Sequence, residues 1–198
     1  MRITLRRAAI FLLLNGLVSF PALGSDVYFS PEGGIRDQII RRINTSRATI
    51  DVAVYSFTSG EIAQALADAA KRGVRVRVIR DAGQSRNRND ENDFLARQGI
   101  PIQIRSGKGR GVMHDKFAIF DGKEVFVGSY NWTANAEHNN WENALFTNEK
   151  KVVDSYTKEF TVLWGALART GRKKNVIGRL PFFKGSLLNG AAPLPLPR

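Results

Sequence analysis

The sequence predicts an α/β fold in which a mixed β-sheet is flanked by helices on both faces. From residue 25 to residue 169, strand-like runs rich in β-branched and aromatic residues alternate with runs that repeat apolar residues at helical spacing. An Asp121-Gly122 pair separates two of the strand-like runs, and such a pair is typical of a tight antiparallel hairpin. Alternating strands and helices favour parallel pairing, so the added hairpin makes the predicted sheet mixed.

The first half of this region contains four predicted strands and three predicted helices. The first helix places Ile35, Ile39 and Ile43 on one face, as a helix that packs on a sheet requires. The second helix has Thr58 or Ser59 as its N-cap and ends at Gly73. In chain order the elements are a strand at 27–29, a helix at 31–46, a strand at 49–57, the helix that ends at Gly73, a strand at 74–79, a helix at 90–98 and a strand at 102–105.

The second half is organised around the hairpin. A strand at 114–120 leads into the Asp-Gly turn, and a strand at 124–128 returns antiparallel to it. A further strand follows at 142–146. The region closes with a helix at 149–168, in which large apolar side chains recur at helical spacing and predict one buried face.

Composition and charge exclude several classes of protein. The 198 residues are 43% apolar and include no cysteine, which excludes a disordered polymer, a disulfide scaffold, a cysteine-ligated zinc site and a catalytic thiol. The net charge of +12 is concentrated at the ends, because three basic residues precede residue 25 and seven follow Ala168. The stretch between them has 20 basic and 18 acidic residues, so an anion-binding surface there requires local clustering.

Both ends of the chain lie outside the predicted domain. Residues 1–24 match a secretory signal peptide, with arginines before a 13-residue apolar run and small residues at the cleavage positions. A bilayer span needs roughly 20 residues, which disfavours the alternative of an uncleaved anchor. We therefore expect a secreted or periplasmic protein. Residues 170–198 predict a basic, largely disordered tail, which either contacts nucleic acid or an anionic membrane or is simply solvated.

Residues that can carry chemistry gather at the start of the hairpin. The sequence contains two histidines, and His114 stands two residues before Lys116 in a predicted strand. Because side chains alternate along a strand, both residues point to the same face. A lysine attracts a phosphate, and a neighbouring imidazole can attack phosphorus or move protons near neutral pH. A His-x-Lys pair on a strand is also often incidental, so it needs further support.

The returning strand supplies that support. Pairing across the hairpin brings Ser129 alongside His114. The Ser129 hydroxyl and the Asn131 amide are neutral donors that suit a phosphoryl oxygen. Glu142, at the start of the next strand, is a carboxylate that could orient the imidazole.

The spacing of these residues is specific. The motif reads His114-x-Lys116-x4-Asp121-x6-Gly128-Ser129, with Asn131 as an extension. It matches the signature of the phospholipase D superfamily position for position. With Tyr55-Ser56-Phe57-Thr58 upstream and Glu142-Asn143-Ala144 downstream, the chain resembles the small secreted bacterial endonucleases of that superfamily, of the Nuc type, over residues 27–168. The resemblance implies a single-repeat phospholipase D-like fold.

The resemblance also implies a role for each residue of the motif. His114 would be the nucleophile that forms a phosphohistidine intermediate. The residues that would hold the phosphate oxygens are Lys116, Ser129 and Asn131. Glu142 would hydrogen-bond the imidazole and set its tautomer. Asp121 counts with the catalytic residues by resemblance, but the turn places it away from the attacking face, where a structural role is more plausible.

A single motif poses a chemical problem. Displacement at a phosphodiester needs a nucleophile on one side and an acid for the leaving oxygen on the other. Single-motif relatives pair two chains, so the resemblance implies a homodimer with one composite site. His138, acting as an acid within the same chain, is the alternative. Two lysines and two imidazoles would supply the positive charge that phosphoryl transfer needs, so we expect no metal and no other cofactor.

Two substrates fit this chemistry, namely nucleic acid (DNA or RNA) and phospholipid head groups. The basic residues of the loops beside the site are Arg86, Arg88, Arg105, Lys108 and Arg110, and the nearby tryptophans are Trp132 and Trp141. Cationic loops with aromatic side chains suit a single strand of nucleic acid, with solvated loops and buried tryptophans as the alternative. A lipase would more often expose an apolar rim, of which the domain gives no sign. We expect a non-specific endonuclease, with a phospholipase D as the alternative and a non-catalytic binder as a third hypothesis.

Overall fold

The computed structural model describes the backbone of residues 24–170 and the side chains of residues 24–165. The predicted signal peptide, apart from Gly24, and the predicted tail beyond Thr170 lie outside the described residues. The chain divides into two units, of which Met1–Gly165 holds the whole sheet and Ala166–Arg198 begins within the last helix. Over residues 24–170, no helix is both long enough and apolar enough to span a bilayer.

Within this part of the chain, seven strands form one mixed sheet. The strands are β1 (Ser25–Ser30), β2 (Thr49–Val54), β3 (Arg75–Asp81), β4 (Ile102–Arg105), β5 (Lys116–Phe120), β6 (Glu124–Gly128) and β7 (Glu142–Thr147). Their spatial order is β1-β7-β6-β5-β2-β3-β4. β2 pairs with β3 and β3 with β4 in parallel, whereas the remaining neighbours are antiparallel. The predicted mixed sheet is confirmed.

Helices cover both faces of the sheet, as predicted. The helices are α1 (Ile35–Thr45), α2 (Gly60–Lys71), α3 (Asn92–Arg97), α4 (Ala134–His138) and α5 (Lys150–Thr170). α1 and α2 bury apolar side chains such as Ile39 and Leu66 against one face. α5 buries Val153 and Phe160 against the other face. The sheet is therefore the middle of three layers, with a hydrophobic core on each side.

β5 contributes to both cores because its side chains alternate. Ala118 and Phe120 belong to the core under α1 and α2, whereas Phe117 and Ile119 belong to the core under α5. All five residues of the strand are buried. The same alternation assigns Lys116, the first residue of β5, to the α1 and α2 side of the sheet.

Some element ends differ from the prediction, and two short elements were not predicted. β2 ends at Val54 instead of residue 57, because Phe57 leaves the sheet to form a bridge with Trp132. β5 begins at Lys116, so His114 lies in the connecting segment just before the strand. Helix α4 and a 3₁₀ turn at Gln84–Arg86 span too few residues to give a periodic signal.

The predicted hairpin turn between β5 and β6 is confirmed. Asp121 and Gly122 have positive φ angles of 53° and 63°, as a type I′ turn requires. The Asp121 carboxylate accepts hydrogen bonds from the backbone N–H groups of Arg47, Ala48 and Thr49, at 2.7 to 3.1 Å. Burial acts to raise the pKa of Asp121, but these hydrogen bonds outweigh it and leave the pKa below its ordinary value. Asp121 therefore fastens the turn to the start of β2.

Replacing Asp121 by Asn should lower the free energy of unfolding by about 1 to 2 kcal/mol at neutral pH, because a neutral amide is a weaker acceptor for the three N–H groups. The lowered pKa means that the carboxylate stabilises the fold above its unfolded-state pKa. This contribution is lost as the pH falls through the folded-state pKa. Urea unfolding of both proteins from about pH 7 to about pH 3 measures the difference, which should shrink toward acid. A difference that is independent of pH would contradict this role.

Candidate active site

Five of the six residues predicted as catalytic line one cavity. It lies at the end of the strands where β6 finishes and β5 and β7 begin. The register pairs Phe117 of β5 with Val127 of β6, and Gly128 of β6 with Ala144 of β7. The cavity has a volume of about 440 Å³. Its lining residues are His114, Lys116, Gly128, Ser129, Asn131 and Glu142. The sixth residue, Asp121, is not among them.

Gly128 allows β6 and β7 to approach each other closely at this cavity. A Cβ atom at position 128 would lie 2.0 Å from the carbonyl oxygen of Asn143, far inside contact distance. The Ser129 backbone N–H donates to that same carbonyl at 3.2 Å. Only a residue without a side chain fits between the strands here, which gives the motif glycine a steric reason.

His114 and Lys116 lie side by side at the start of β5. The Lys116 Nζ atom is 3.2 Å from the His114 Nδ1 atom and donates to the His114 carbonyl oxygen at 2.7 Å. His114 is exposed, whereas only 8% of the Lys116 surface is accessible. A solvent-accessible imidazole beside a firmly held ammonium suits attack on a phosphate.

Burial also changes the chemistry of the lysine. It lowers the pKa of Lys116 from the ordinary 10.5, while the carboxylates of Asp115 and Glu142 act in the opposite direction. A partly desolvated ammonium interacts more strongly with an incoming anion than a solvated one does. Within residues 24–165, no group of three or more His, Asp or Glu side chains could hold a metal ion.

Glu142 contacts Ser129, and the predicted hydrogen bond to the imidazole is not among the contacts of the described residues. The Glu142 Oε2 atom accepts from the Ser129 hydroxyl, and Oε1 accepts from the Asn140 amide at 2.9 Å. The β6–β7 register explains this difference, because it pairs Gly128 with Ala144 and so sets Ser129 opposite the first residues of β7. Glu142 therefore orients the hydroxyl of the site, and its electrostatic influence reaches Lys116.

The two predicted neutral donors, Ser129 and Asn131, differ in whether their donor group is already hydrogen-bonded within the protein. The Ser129 hydroxyl gives its single proton to Glu142 and accepts from the Asn143 backbone N–H at 3.1 Å. It therefore has to turn away from Glu142 before it can donate to a phosphate oxygen. The Asn131 Oδ1 atom accepts from the Ser56 backbone N–H at 3.2 Å, which leaves the Nδ2 amide as the group that Asn131 can offer to a ligand.

Asp121 and Trp132, both predicted as site residues, are not among the residues that line the cavity. Asp121 lies at the other end of β5 from Lys116 and fastens the hairpin turn, so its role is structural. Trp132 is completely buried, with its ring packed edge-on against Phe57 at 5.0 Å, so it cannot stack on a substrate. The predicted alternative of a core tryptophan holds for Trp132, whereas Trp141 is 89% exposed.

None of the predicted substrate-binding cations lines the cavity. The exposed members of this set are Arg86, Arg88, Lys108 and Arg110. Arg105 differs from them, because it is buried and donates to the carbonyl oxygens of Leu163 and Trp164. Its charge holds the last helix to the sheet and is not available to a substrate.

Tyr55 and Gln84 are site neighbours that were not among the predicted site residues. The Tyr55 ring lies 4.4 Å from the His114 ring, measured between centroids, and the Gln84 amide donates to the Tyr55 hydroxyl at 3.1 Å. Tyr55 directly follows β2, which is antiparallel to β5, so the end of one strand meets the start of the other. That pairing was the missing information, because the sequence alone did not reveal which strand lies beside β5.

The fold and the cavity together define a class of protein. A mixed sheet that presents an imidazole, an ammonium, a hydroxyl and an amide at the junction of β5, β6 and β7 is the arrangement expected of a phosphodiester hydrolase of the phospholipase D superfamily. The family model described as "Cardiolipin synthase, PLD-like domain" matches residues 39–164. The chain belongs to this family of phospholipase D-like domains.

Curated relatives of the chain include mitochondrial cardiolipin hydrolases. The chain is 35% identical to the Homo sapiens protein over 127 residues and 31% identical to the Drosophila melanogaster protein over 153 residues. These alignments cover 64% and 67% of the chain, and 50% and 60% of the two relatives. The chain therefore spans only about half to three fifths of the length of these relatives.

Two solved structures match the fold over nearly their whole length. Nuc from Salmonella typhimurium, a phospholipase D family member, is 32% identical with a TM-score of 0.67, covering 72% of this chain and 95% of that one. NucT from Helicobacter pylori is 29% identical with a TM-score of 0.65, covering 72% of this chain and 96% of that one. The predicted phospholipase D-like fold is thereby confirmed.

The lowered pKa of Lys116 predicts the alkaline limb of the pH profile. An anion needs the protonated lysine, so kcat/KM on a small phosphodiester should fall with rising pH at a midpoint below the ordinary 10.5. Arginine stays protonated throughout, so Lys116→Arg should remove this limb from whatever activity remains.

The matched control is Lys123→Arg, which changes an exposed lysine at the hairpin turn, away from the cavity. This variant should keep the limb of the unmodified protein. A limb that persists in Lys116→Arg would assign the titration to another group.

Proposed function

We propose that the chain is a metal-independent phosphodiesterase that cleaves nucleic acid non-specifically, through a phosphohistidine at His114 in a site shared by two subunits. The observation that carries this proposal is the cavity in which an exposed imidazole adjoins the buried ammonium of Lys116. The nucleophile and the anion-binding charge are thus adjacent before any substrate arrives, so little reorganisation is needed at the moment of reaction.

The chemistry runs in two displacements. In the first, the His114 Nε2 atom attacks phosphorus, a P–N bond forms, and the bond to the leaving oxygen breaks as that oxygen takes a proton from a second imidazole. In the second, water attacks phosphorus, gives its proton to that imidazole, and the P–N bond breaks. Attack by Nε2 requires the ring proton on Nδ1, so the Lys116 ammonium has to turn from Nδ1 to the phosphate oxygens when the substrate binds.

A second copy of the chain is the source we propose for the second imidazole. The sequence has two histidines, and His138 is exposed at the end of α4 and is not among the residues that line the cavity. β1 lies at the edge of the sheet beside β7, with Ser30 paired to Glu142 of the cavity. The neighbouring Phe29 and Val27 are 61% and 55% exposed, which offers apolar area for a twofold contact next to the site.

Exposed cations on two loops favour nucleic acid as the substrate. The carboxylate of Asp81, at the end of β3, accepts from the backbone N–H groups of Gly83 and Met113, at 2.8 and 3.1 Å. It therefore ties the loop of Arg86 and Arg88, and the loop of Lys108 and Arg110, to the strand ends next to His114. Exposed cations on loops that adjoin a site can follow a polyanionic backbone over several phosphates.

A phospholipid is the alternative substrate, and two observations favour it. Curated relatives are named mitochondrial cardiolipin hydrolases. Apolar side chains are also exposed next to residues of the cavity. Trp141 directly precedes Glu142, and Val112, which is 49% exposed, lies two residues before His114. This exposure differs from the sequence prediction that the domain has no apolar rim. We rank nucleic acid first because the loops carry four exposed cations.

The localisation of the protein is a separate matter. Secretion or export to the periplasm stays a prediction from residues 1–24.

A substrate panel tests this function. Single-stranded DNA, RNA and cardiolipin vesicles are each incubated with the protein in EDTA. We expect nucleic acid to be cut in the chelator, and His114→Ala to lose at least about 10³-fold of the rate because the nucleophile is gone. Cleavage of cardiolipin alone would establish the lipase, and binding to nucleic acid without cleavage of any substrate would establish the binder.

Controls on the same preparation address the shared site. His138→Ala should keep its activity, because His138 is not among the residues that line the cavity. Sedimentation should give a dimer. Loss of all activity in a dimeric His138→Ala protein would assign the acid to His138, and a fully active monomer would contradict the composite site.

A further inference from the structure

Among residues 24–165, Tyr55 is the only aromatic residue whose ring contacts both His114 and Lys116. Its ring centroid is 4.4 Å from that of His114, with the two planes at 56°. The Lys116 Nζ atom lies 5.1 Å from the same centroid, within the range of a cation–π contact. One ring thus contacts the imidazole and the ammonium of the candidate site.

Three hydrogen bonds hold Tyr55 in place. Its backbone N–H donates to the carbonyl oxygen of Asp115 at 2.9 Å, which ties it to the residue between His114 and Lys116. Its hydroxyl accepts from the Gln84 Nε2 atom at 3.1 Å, and its carbonyl oxygen accepts from the Arg80 guanidinium at 3.5 Å. Both the backbone and the far end of the ring are therefore fixed.

Two residues at the end of β3, Arg80 and Asp81, hold Tyr55 and Gln84 in place through further contacts. Arg80 is fully buried and also donates to the carbonyl oxygen of Val54, while its charge is paired with Asp90. Asp81 accepts from the Gln84 backbone N–H at 3.0 Å and from the Met113 backbone N–H at 3.1 Å. These contacts form a continuous chain of neighbours that runs from Met113 through Asp81, Gln84 and Tyr55 to His114, the residue that follows Met113.

His114 needs such support because of where it stands. It precedes β5, its side chain is exposed, and attack on phosphorus requires one ring nitrogen to be aligned with the bond that breaks. A flat ring packed on one side of the imidazole, itself fixed at both ends, limits the orientations that the imidazole can adopt.

We propose that Tyr55 is a positioning residue, which sets the orientation of the His114 imidazole through the face of its ring. This inference rests on the proposed role of His114 as nucleophile, but it is independent of whether the substrate is nucleic acid or lipid. The ring is the essential part, and the hydroxyl serves to anchor it through Gln84.

The test compares Tyr55→Leu with Tyr55→Phe on bis(p-nitrophenyl) phosphate, a small substrate that avoids the loops. Tyr55→Leu should lower kcat by about 10- to 100-fold, because a misplaced nucleophile slows the chemical step, with KM changed by less than about threefold. Tyr55→Phe keeps the ring and should stay within about threefold of the unmodified protein. Equal losses in both variants, or full activity in Tyr55→Leu, would overturn the proposal.

Tyr156→Leu is the matched control for deleting an aromatic ring. Tyr156 is also half-buried and packs on Phe117 at 5.0 Å and the same 56°, on the sheet face opposite to the core of α1 and α2. It should lower the melting temperature at least as much as Tyr55→Leu does while keeping kcat. A comparable fall of kcat in Tyr156→Leu would make the effect one of general stability.

A second readout does not depend on turnover. With two histidines in the sequence, His138→Asn identifies the signals of His114, and ¹³C relaxation at its Cε1 atom reports how ordered the imidazole is. The order parameter should fall in Tyr55→Leu and not in Tyr55→Phe. If the unmodified protein cleaves no phosphodiester, the proposed function fails while this measurement still decides whether Tyr55 orients the ring. An unchanged order parameter in Tyr55→Leu would overturn the inference.

Discussion

The register of the β5–β6–β7 sheet is the constraint on which the candidate site depends. It sets Gly128 at the level of Lys116, and Gly128 in turn admits the Asn143 carbonyl to a position that any Cβ would block. Because side chains alternate along a strand, a slip by one residue would send Lys116 to the face of α5 and break the cavity. The Asp121 turn stabilises this register at the far end of the hairpin, so a residue outside the site contributes to its geometry.

Two buried cations at the same end of the sheet have different roles. Burial lowers the pKa of Arg80 to about 10, which still leaves it protonated at neutral pH. Asp90 pairs with its charge, and the carbonyl oxygens of Val54 and Tyr55 accept hydrogen bonds from its guanidinium. Lys116 has a lowered pKa as well, but its neighbours are a histidine nitrogen, a carbonyl and more distant carboxylates. An ammonium that is buried without a direct carboxylate partner gains the most from an incoming phosphate. Arg80 is therefore suited to hold the backbone, and Lys116 to hold the substrate.

The sequence predicted the layered fold and the hairpin from local periodicity and turn chemistry. The hairpin brought Ser129 beside His114, and the motif's resemblance to a known family added Asn131 and Glu142 to the site. The sequence could not predict contacts that depend on which strands are neighbours. Tyr55 becomes a site residue only through the β2–β5 pairing, and Glu142 meets Ser129 only through the β6–β7 pairing. The burial of individual side chains could not be predicted from the sequence either, since Trp132 and Trp141 have similar neighbours in the sequence but one is buried and the other exposed.

The mechanism proposed for this site requires the His114 imidazole to become covalently bonded to phosphorus during turnover. A short oligonucleotide is mixed with the protein, the reaction is stopped within milliseconds at alkaline pH, where phosphohistidine survives, and the digest is analysed by mass spectrometry. The proposed mechanism predicts that the peptide containing His114 carries the phosphate with one fragment of the oligonucleotide still esterified to it, and that His114→Ala carries no such adduct. Turnover without an adduct at His114, or with the adduct on another side chain, would contradict it.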